Sequence, residues 1–594
     1  MELGDFTVTP RVIMLSAIAL FIGVVCSFVA LALLRLIGLF SNLFFFGRID
    51  TPIVTPQGNH LGPFVLVVPI VGGLVVGLMA RYGSERIRGH GIPEAMEAIL
   101  IGGSKIEPKV AILKPISAAI SIGSGGPFGA EGPIIMTGGA VGSLIAQFFH
   151  LTSAERKTLL VAGAAGGMSA TFATPVAAVV LGVELLLFEW RPRSLVPVAV
   201  ASAAAAVVRR YLLGTGPLFP VAAHPVFVGV PSLLACVGVG LAAGVMAILL
   251  VGAVYASEDG FKKLPIHWMW WPAIGGSIIG IGGLVFPRAL GVGYDTIASI
   301  LAGQATMRIL IGVVIVKSII WSGSLGSGTS GGVLAPLLMI GAALGGVEAH
   351  ILPNEGIGFW PMISMGAMLG AMMRTPITAL VFTLELTHDP NSLLPLLIAV
   401  GIAYGVSVLV MKRSILTEKV ARRGYHLSRE YAVDPLEILA VKEVMRTEVL
   451  AFAPDATLSE LGARMSSDGH HGQRLYPVTG PGGELRGVVT RGDLQKHLAG
   501  DDLSGQISDF VRQPVVAHPD EPLQMVAYRM ADAGVTRMPV VTWETPARVV
   551  GMVSLQDLLK ARARNLEAES RREQVFRLPR IFGRGQRTPR AARP

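Results

Sequence analysis

Over the first four hundred positions of this chain, apolar residues do not alternate with polar ones. They run on, and the runs end near residue 430. Four runs, 12–34, 64–80, 226–255 and 393–411, approach or exceed the length a bilayer-crossing helix needs, about 20 residues. Others, such as 159–188, are interrupted by Gly or Pro. The pattern predicts a polytopic membrane protein. The opening residues, Met1-Glu2-Leu3-Gly4-Asp5, carry neither a basic leader nor a cleavage site, so the first run is expected to be a retained helix. From Asp434 onward the pattern becomes that of a soluble α/β module. Its tail, 566–594, is arginine-rich with few apolar residues and is expected to be disordered.

One acid interrupts the apolar part in a telling context: Gly123-Ser124-Gly125-Gly126-Pro127-Phe128-Gly129-Ala130-Glu131-Gly132-Pro133. A charged residue at the bilayer centre costs roughly 2.5–3.5 kcal/mol on insertion scales, so Glu131 is a functional candidate. The glycines before it predict unwound backbone with bare N–H groups, and Gly132-Pro133 reads as the opening of a helix. Exposed amides at the positive end of a helix dipole suit an anion. Glu131 is then a tethered anion at the mouth of a site for free ones, which is the arrangement of a gate.

The membrane part repeats itself. Thr174-Pro175-Val176-Ala177 through Val183-Glu184-Leu185 recurs as Thr375-Pro376-Ile377-Thr378 through Leu384-Glu385-Leu386. At nearly the same offset, Gly129-Ala130-Glu131-Gly132-Pro133 falls on Gly332-Val333-Leu334-Ala335-Pro336. Paired glycine-interrupted segments point to a transport site at a repeat interface; parallel and inverted arrangements fit the sequence equally. A third break, Gly89-His90-Gly91-Ile92-Pro93-Glu94, adds another set of amides. Three broken helix starts can converge on one ion and hold it weakly enough for release.

Composition agrees with the pattern: of 594 residues, 52% are hydrophobic and 15% charged. The net charge of +9 owes much to Lys412-Arg413, Arg422-Arg423 and the tail. It reads as membrane topology rather than nucleic-acid binding. Cys26 and Cys236 lie in apolar runs and read as lone buried thiols, with no disulfide framework, metal site or resident cofactor expected. No enzyme motif survives its context. There is no P-loop and no His-Glu-x-x-His, and the Gly-x-Ser-x-Gly at 328–332 lacks the strand that a nucleophile elbow needs. A cation pore should be lined by several carboxylates, whereas the broken segments around Glu131 and Leu334 hold one acid among bare amides.

Taken in order over about residues 10–425, the three breaks resemble the CLC family of chloride channels and chloride/proton antiporters. The resemblance implies an all-α, inverted-repeat membrane domain of tilted, partly spanning helices over residues 1–430. It also implies a homodimer in the lipid bilayer with one pore per subunit, chloride or another small anion as substrate, and the C-terminal module in the cytoplasm. It makes Glu131 the gating residue. His90, Gly91, Ile92, Pro93, Ala130, Gly132, Gly332, Val333, Leu334 and Leu416 become the anion-binding positions. Several of these depart from the family, which often has Ser at His90, a basic residue at Ala130, Phe at Leu334 and Tyr at Leu416. The amide contacts survive those changes; the hydroxyls do not. His90 is expected to donate from a neutral ring to a carbonyl, the other reading being a protonated ring that draws the anion. The inner glutamate of the family's antiporters falls on Leu185, one residue past Glu184. Because Glu184 has a twin in Glu385, the two share an expected structural role. Passive, channel-like conduction is therefore expected ahead of chloride/proton exchange, with a cation transporter as a distant third.

The module is itself a repeat, over 440–500 and 506–565. Gly487-Val488-Val489-Thr490-Arg491-Gly492-Asp493-Leu494 is echoed by Gly551-Met552-Val553-Ser554-Leu555-Gln556-Asp557-Leu558. A strand, a hydroxyl and then an Asp opening a helix resemble a CBS domain pair. That resemblance implies Thr490 and Ser554 on the phosphate, and Asp493 and Asp557 on the ribose, of an adenine nucleotide. Helix capping explains both Asp residues as well.

Overall fold

The computed structural model describes residues 9–100, 102–424, 436, 439–457, 460, 473–498 and 506–570. The chain forms two compact units, Met1–Arg429 and Glu430–Pro594.

Among the described residues the regular elements of the first unit are all helices. In chain order its helices are α1 (Arg11–Phe46), α2 (Val67–Tyr82), α3 (Ile92–Leu100), α4 (Pro108–Gly123), α5 (Glu131–Gln147), α6 (Ser153–Phe172) and α7 (Pro175–Leu181). Then follow α8 (Pro192–Leu212), α9 (Val230–Lys262), α10 (Trp271–Val285), α11 (Tyr294–Leu301), α12 (Met307–Gly312) and α13 (Ser318–Gly326). The last are α14 (Leu334–Glu348), α15 (Phe359–Met373), α16 (Pro376–Thr387), α17 (Leu393–Val410) and α18 (Ile415–Arg422). Among the described residues, seven helical stretches are long and apolar enough to cross a membrane. The four apolar runs of the sequence are among them. Pro192–Leu212, Trp268–Val285 and Met307–Gly326 are additional, their signal diluted by alanines, glycines and basic residues. The protein is a multi-pass integral membrane protein.

The site depends on the short helices that do not span. Helices α3, α5, α11 and α14 all begin at glycine breaks inside the protein, and the two repeats supply two each. Small residues let the backbones close up. A Cβ on Gly138 of α5 would lie 2.3 Å from the Gly163 carbonyl of α6, and one on Gly163 would lie 2.1 Å from that of Gly138.

The repeats also cap each other. Glu184, beyond α7, accepts from the amides of Ile377 and Thr378 at 3.3 and 2.8 Å, in the first turn of α16. Glu385 of α16 accepts from Val176 and Ala177 at 3.0 and 2.8 Å, in the first turn of α7. Carboxylates at helix N-termini stabilise them, and the exchange is what an inverted pair facing across a two-fold produces. The shared structural role of the twin acids is this mutual capping.

The second unit contains two antiparallel hairpins, β1 (Leu475–Thr479) with β2 (Leu485–Thr490), and β3 (Arg537–Val541) with β4 (Val549–Ser554). A helix follows each: Arg491–Leu498 after β2 and Leu555–Ser570 after β4. The strands are buried over runs of consecutive residues, and each hairpin has its own buried cluster, around Val478 and Val489 in the first and Val540 and Val553 in the second. The final helix runs past residue 566 into the segment expected to be disordered, and 571–594 lie outside the described residues.

Candidate anion-binding site

Two of the glycine breaks are hydrogen-bonded to each other. The Gly129 amide donates to the Gly332 carbonyl at 3.2 Å, and the Gly332 amide returns a bond to Gly129 at 2.8 Å. The third break joins them: Gly89 donates to Thr329 at 3.1 Å and Gly331 donates to Gly89 at 3.4 Å. No side chain fits between the strands of this knot. A Cβ on Gly132 would stand 1.8 Å from the His90 carbonyl oxygen, and one on Gly91 would stand 2.6 Å from that of Gly132. Gly91, at φ +90, also adopts the left-handed conformation that favours glycine. The structure therefore brings His90, Gly91, Ile92, Ala130, Glu131, Gly132, Gly332, Val333 and Leu334 together at one buried place, with Pro93 in the first turn of α3.

Helices α5 and α14 begin at Ala130 and Val333, neither of which caps its helix with a side chain. Their first amides are left open. Into this opening Glu131 folds its carboxylate, which is fully buried and lies beside Gly129 and Gly332. The amides of Glu131 and Ala335 face it at a geometry short of a hydrogen bond, so both oxygens lack a formed partner. The carboxylate stands at the N-terminus of α14.

The start of α3 differs from the expectation. The Gly91 amide is already occupied: it donates to Glu94 Oε2 at 2.9 Å. Glu94 is buried and is held in turn by Lys419 at 2.8 Å and Arg423 at 3.4 Å. Gly91 therefore serves the site through its backbone conformation, its amide being engaged by Glu94. His90 differs too. Its Nδ1 is buried without a hydrogen-bond partner, so that nitrogen does not make the expected bond to a carbonyl. Leu416 is fully buried near the start of α18 and offers no hydroxyl. The phenol of this region belongs to Tyr255, which donates to the Ile415 carbonyl at 2.5 Å.

Two lysines escaped the sequence reading. Lys114 on α4 donates to the carbonyls of Ile87 and Gly89 at 2.8 and 2.7 Å, behind the start of α3. Lys317 does the same for Ala289 and Gly291 at 2.9 and 2.7 Å, behind the start of α11. Both side chains are fully buried. Their signal in the sequence was the repeat itself, since they stand at matching places in its two halves.

Beyond Gly89 lies a cavity of about 570 Å³ whose walls carry Arg86, Arg88, Lys262, Lys419, Arg422 and Arg423 against Glu85, Glu97 and Glu258. Arg88 is sandwiched by Trp268 and Trp271, 4.5 and 5.8 Å from the ring centres. Six basic side chains against three acidic ones line this vestibule, and ion pairs from Glu94 to Lys419 and from Asp259 to Arg422 offset part of that surplus. Leu185 is buried in a π-helical stretch, Gly182–Leu187, that continues α7. Glu189 follows it and pairs with Lys157 at 3.3 Å and Ser194 at 2.6 Å.

In the module, Thr490 and Asp493 bond to each other at 2.7 Å, and the Asp493 amide donates back to Thr490 at 3.2 Å. Ser554 and Asp557 repeat the pattern at 2.5 and 3.4 Å. These are capping interactions, and arginines complete them: Arg512 reaches Asp493 at 2.9 Å and Arg446 reaches Asp557 at 3.5 Å.

Comparison with known proteins places this geometry. The family described as Voltage gated chloride channel matches residues 72–408, and the CBS domain matches 441–500 and 507–564. A Ralstonia nicotianae protein named as a ClcB-like chloride channel protein is 30% identical over 60% of this chain and 85% of its own length. The voltage-gated ClC-type chloride channel ClcB of Escherichia coli strain SMS-3-5 is 28% identical over 63% and 91%. A structure described as a slow cyanobacterial Cl-/H+ antiporter superposes with a TM-score of 0.62 at 23% identity, covering 70% of this chain and 99% of that one. A eukaryotic CLC transporter covers 92% of this chain and 98% of its own, with a TM-score of 0.57 at 18% identity. With the Voltage gated chloride channel model matching more than half of the sequence, the chain belongs to the CLC, or voltage-gated chloride channel, family and carries a CBS domain pair.

Proposed function

We propose that this protein carries chloride or a similar small anion across a membrane, through a pathway that Glu131 blocks when its carboxylate occupies the amides of α14. The observation that carries this reading is the buried position of that carboxylate at open helix N-termini, where it mimics the ion it excludes. Passive conduction is the favoured mode, because Leu185 places an apolar side chain where a proton relay needs an acid. Liposomes with a chloride gradient and an internal pH probe test it: anion flux without uphill proton movement is the expected result. Uphill protons driven by chloride would establish exchange instead. One observation favours that second reading. Glu189 lies two residues past the end of the helical segment that holds Leu185 and is the nearest acid after it in the chain; Glu189→Gln should abolish proton movement if exchange is the mechanism.

The protein is read as a homodimer with its module in the cytoplasm. An adenine nucleotide is proposed as the module's ligand. Asp493 and Asp557 are committed to capping, so support for it rests on Arg446 and Arg512, half or more exposed beside them. Titration calorimetry of the full chain with ATP and AMP tests this; no heat with either nucleotide would refute it.

A further inference from the structure

Helix α11 is the second repeat's counterpart of α3. Gly291 and Gly293 stand where Gly89 and Gly91 stand, and Lys317 holds its approach as Lys114 holds the other. The position of Ile92, however, is taken by Tyr294. The repeat motif therefore does not require a phenol, just as Leu334 shows that it does not require an acid. Glu131 in one half and Tyr294 in the other are thus polar departures from the shared pattern at the starts of two of its four broken helices.

The Tyr294 ring is fixed. Gly293 takes φ +86, and a Cβ there would stand 2.5 Å from Met339 Sδ on α14, so the chain passes α14 closely. Phe219 packs edge-on against the ring with centroids 5.9 Å apart, and its own amide is anchored to the Leu386 carbonyl at 2.9 Å. The hydroxyl is buried and has no hydrogen-bond partner. Gly291 donates to the Gly125 carbonyl at 3.0 Å, which ties the start of α11 to the glycine break that leads into Glu131, and both Glu131 oxygens are likewise buried without a side-chain partner. Two unsatisfied polar groups in one buried neighbourhood are a costly arrangement. Rotation of the Glu131 side chain toward the phenol relieves both. Of the other charged groups near α11, Lys317 bonds two carbonyls, Asp295 accepts from the Thr55 hydroxyl, and Arg288 lines the same pocket as Asp295 and Tyr294.

We propose that the Tyr294 hydroxyl is the second resting place of the gate, donating to the Glu131 carboxylate when that side chain leaves the amides of α14. Tyr294 is thus a positioning residue for conduction, and this rests on the reading of Glu131 as the gate. The test is anion efflux from liposomes with Tyr294→Phe, in wild-type and in Glu131→Ala backgrounds, at acidic and neutral pH. Tyr294→Phe should lower efflux roughly two- to tenfold at neutral pH. The deficit should narrow on acidification, because a protonated acid leaves the amides without the donor. On Glu131→Ala the same substitution should change nothing. A wild-type efflux and pH profile in Tyr294→Phe overturns the inference, as does an equal deficit in both backgrounds. If Glu131→Ala itself leaves flux and pH dependence unaltered, the gate reading fails, and that outcome is distinct from the others. A second measurement needs no Tyr294 variant. In infrared difference spectra on acidification, a tyrosine C–O band should shift in the wild type and not in Glu131→Ala; its absence from the wild type overturns the inference.

Discussion

At the residue scale, Glu131 was legible because a lone acid in an apolar, glycine-rich run is expensive and unexplained by packing. Its placement against α14 makes the expectation concrete. Glu131→Ala removes the tethered anion, and anion efflux from liposomes should rise several-fold at neutral pH, by about 1 kcal/mol or more of relieved competition, while its pH dependence flattens. Gly132 is the strictest position of the knot. Gly132→Ala drives a Cβ to 1.8 Å from the His90 carbonyl, which the backbone must absorb, at a cost of about 3 kcal/mol or more. Size-exclusion profiles and thermal unfolding of the purified variant should show little folded protein. Other residues could not be read in advance. Gly91 looked like an anion ligand because its amide opens a helix, yet Glu94 takes that amide. A glutamate three residues into the helix reaches back only when its rotamer and neighbours permit, and Lys419 and Arg423 arrive from a distant part of the chain.

At the element scale, the breaks themselves were plain, since glycine runs followed by Pro end one segment and begin another wherever they occur. The helices they open are short, and their use lies in the amides they expose. The mutual capping of α7 and α16 is reciprocal, which yields a matched expectation. Glu184→Gln and Glu385→Gln should each destabilise by about 1 kcal/mol, with similar losses of melting temperature. A large asymmetry between the two would speak against a two-fold relation. In the module, burial pushes the Glu521 carboxyl up, but bonds from Arg529 and the His518 amide more than offset it, and the group sits below its ordinary value. A lowered carboxyl stabilises the fold above the unfolded value, about pH 4, and the gain is lost as pH falls through the folded one. Glu521→Gln should accordingly speed hydrogen exchange in segment 515–541 at neutral pH, with the difference vanishing in acid. The capping roles of Asp493 and Asp557 were among the two readings that the sequence allowed, and both residues make the hydrogen bonds of caps.

For the molecule as a whole, the charged vestibule beyond Gly89 is assembled from the loop before α3, the ends of α9 and α18 and the segment before α10, and no single stretch of sequence displays it. Reversing its charge should slow anion capture. Arg88→Glu is expected to reduce efflux roughly two- to tenfold at low ionic strength and less at high salt, as screening shortens the field; a deficit independent of salt would assign Arg88 a packing role between its two tryptophans. What the sequence by itself determined is the class: apolar runs, a repeat, three glycine breaks and one misplaced acid are local features, each carried by adjacent residues whose conformational preferences need no partner. The tertiary structure alone decided which amides stay open, which acid caps which helix, and that Tyr294 and the two lysines attend the site. Those depend on contacts between residues as far as 329 positions apart, where burial removes water and leaves each polar group to whatever partner the fold provides.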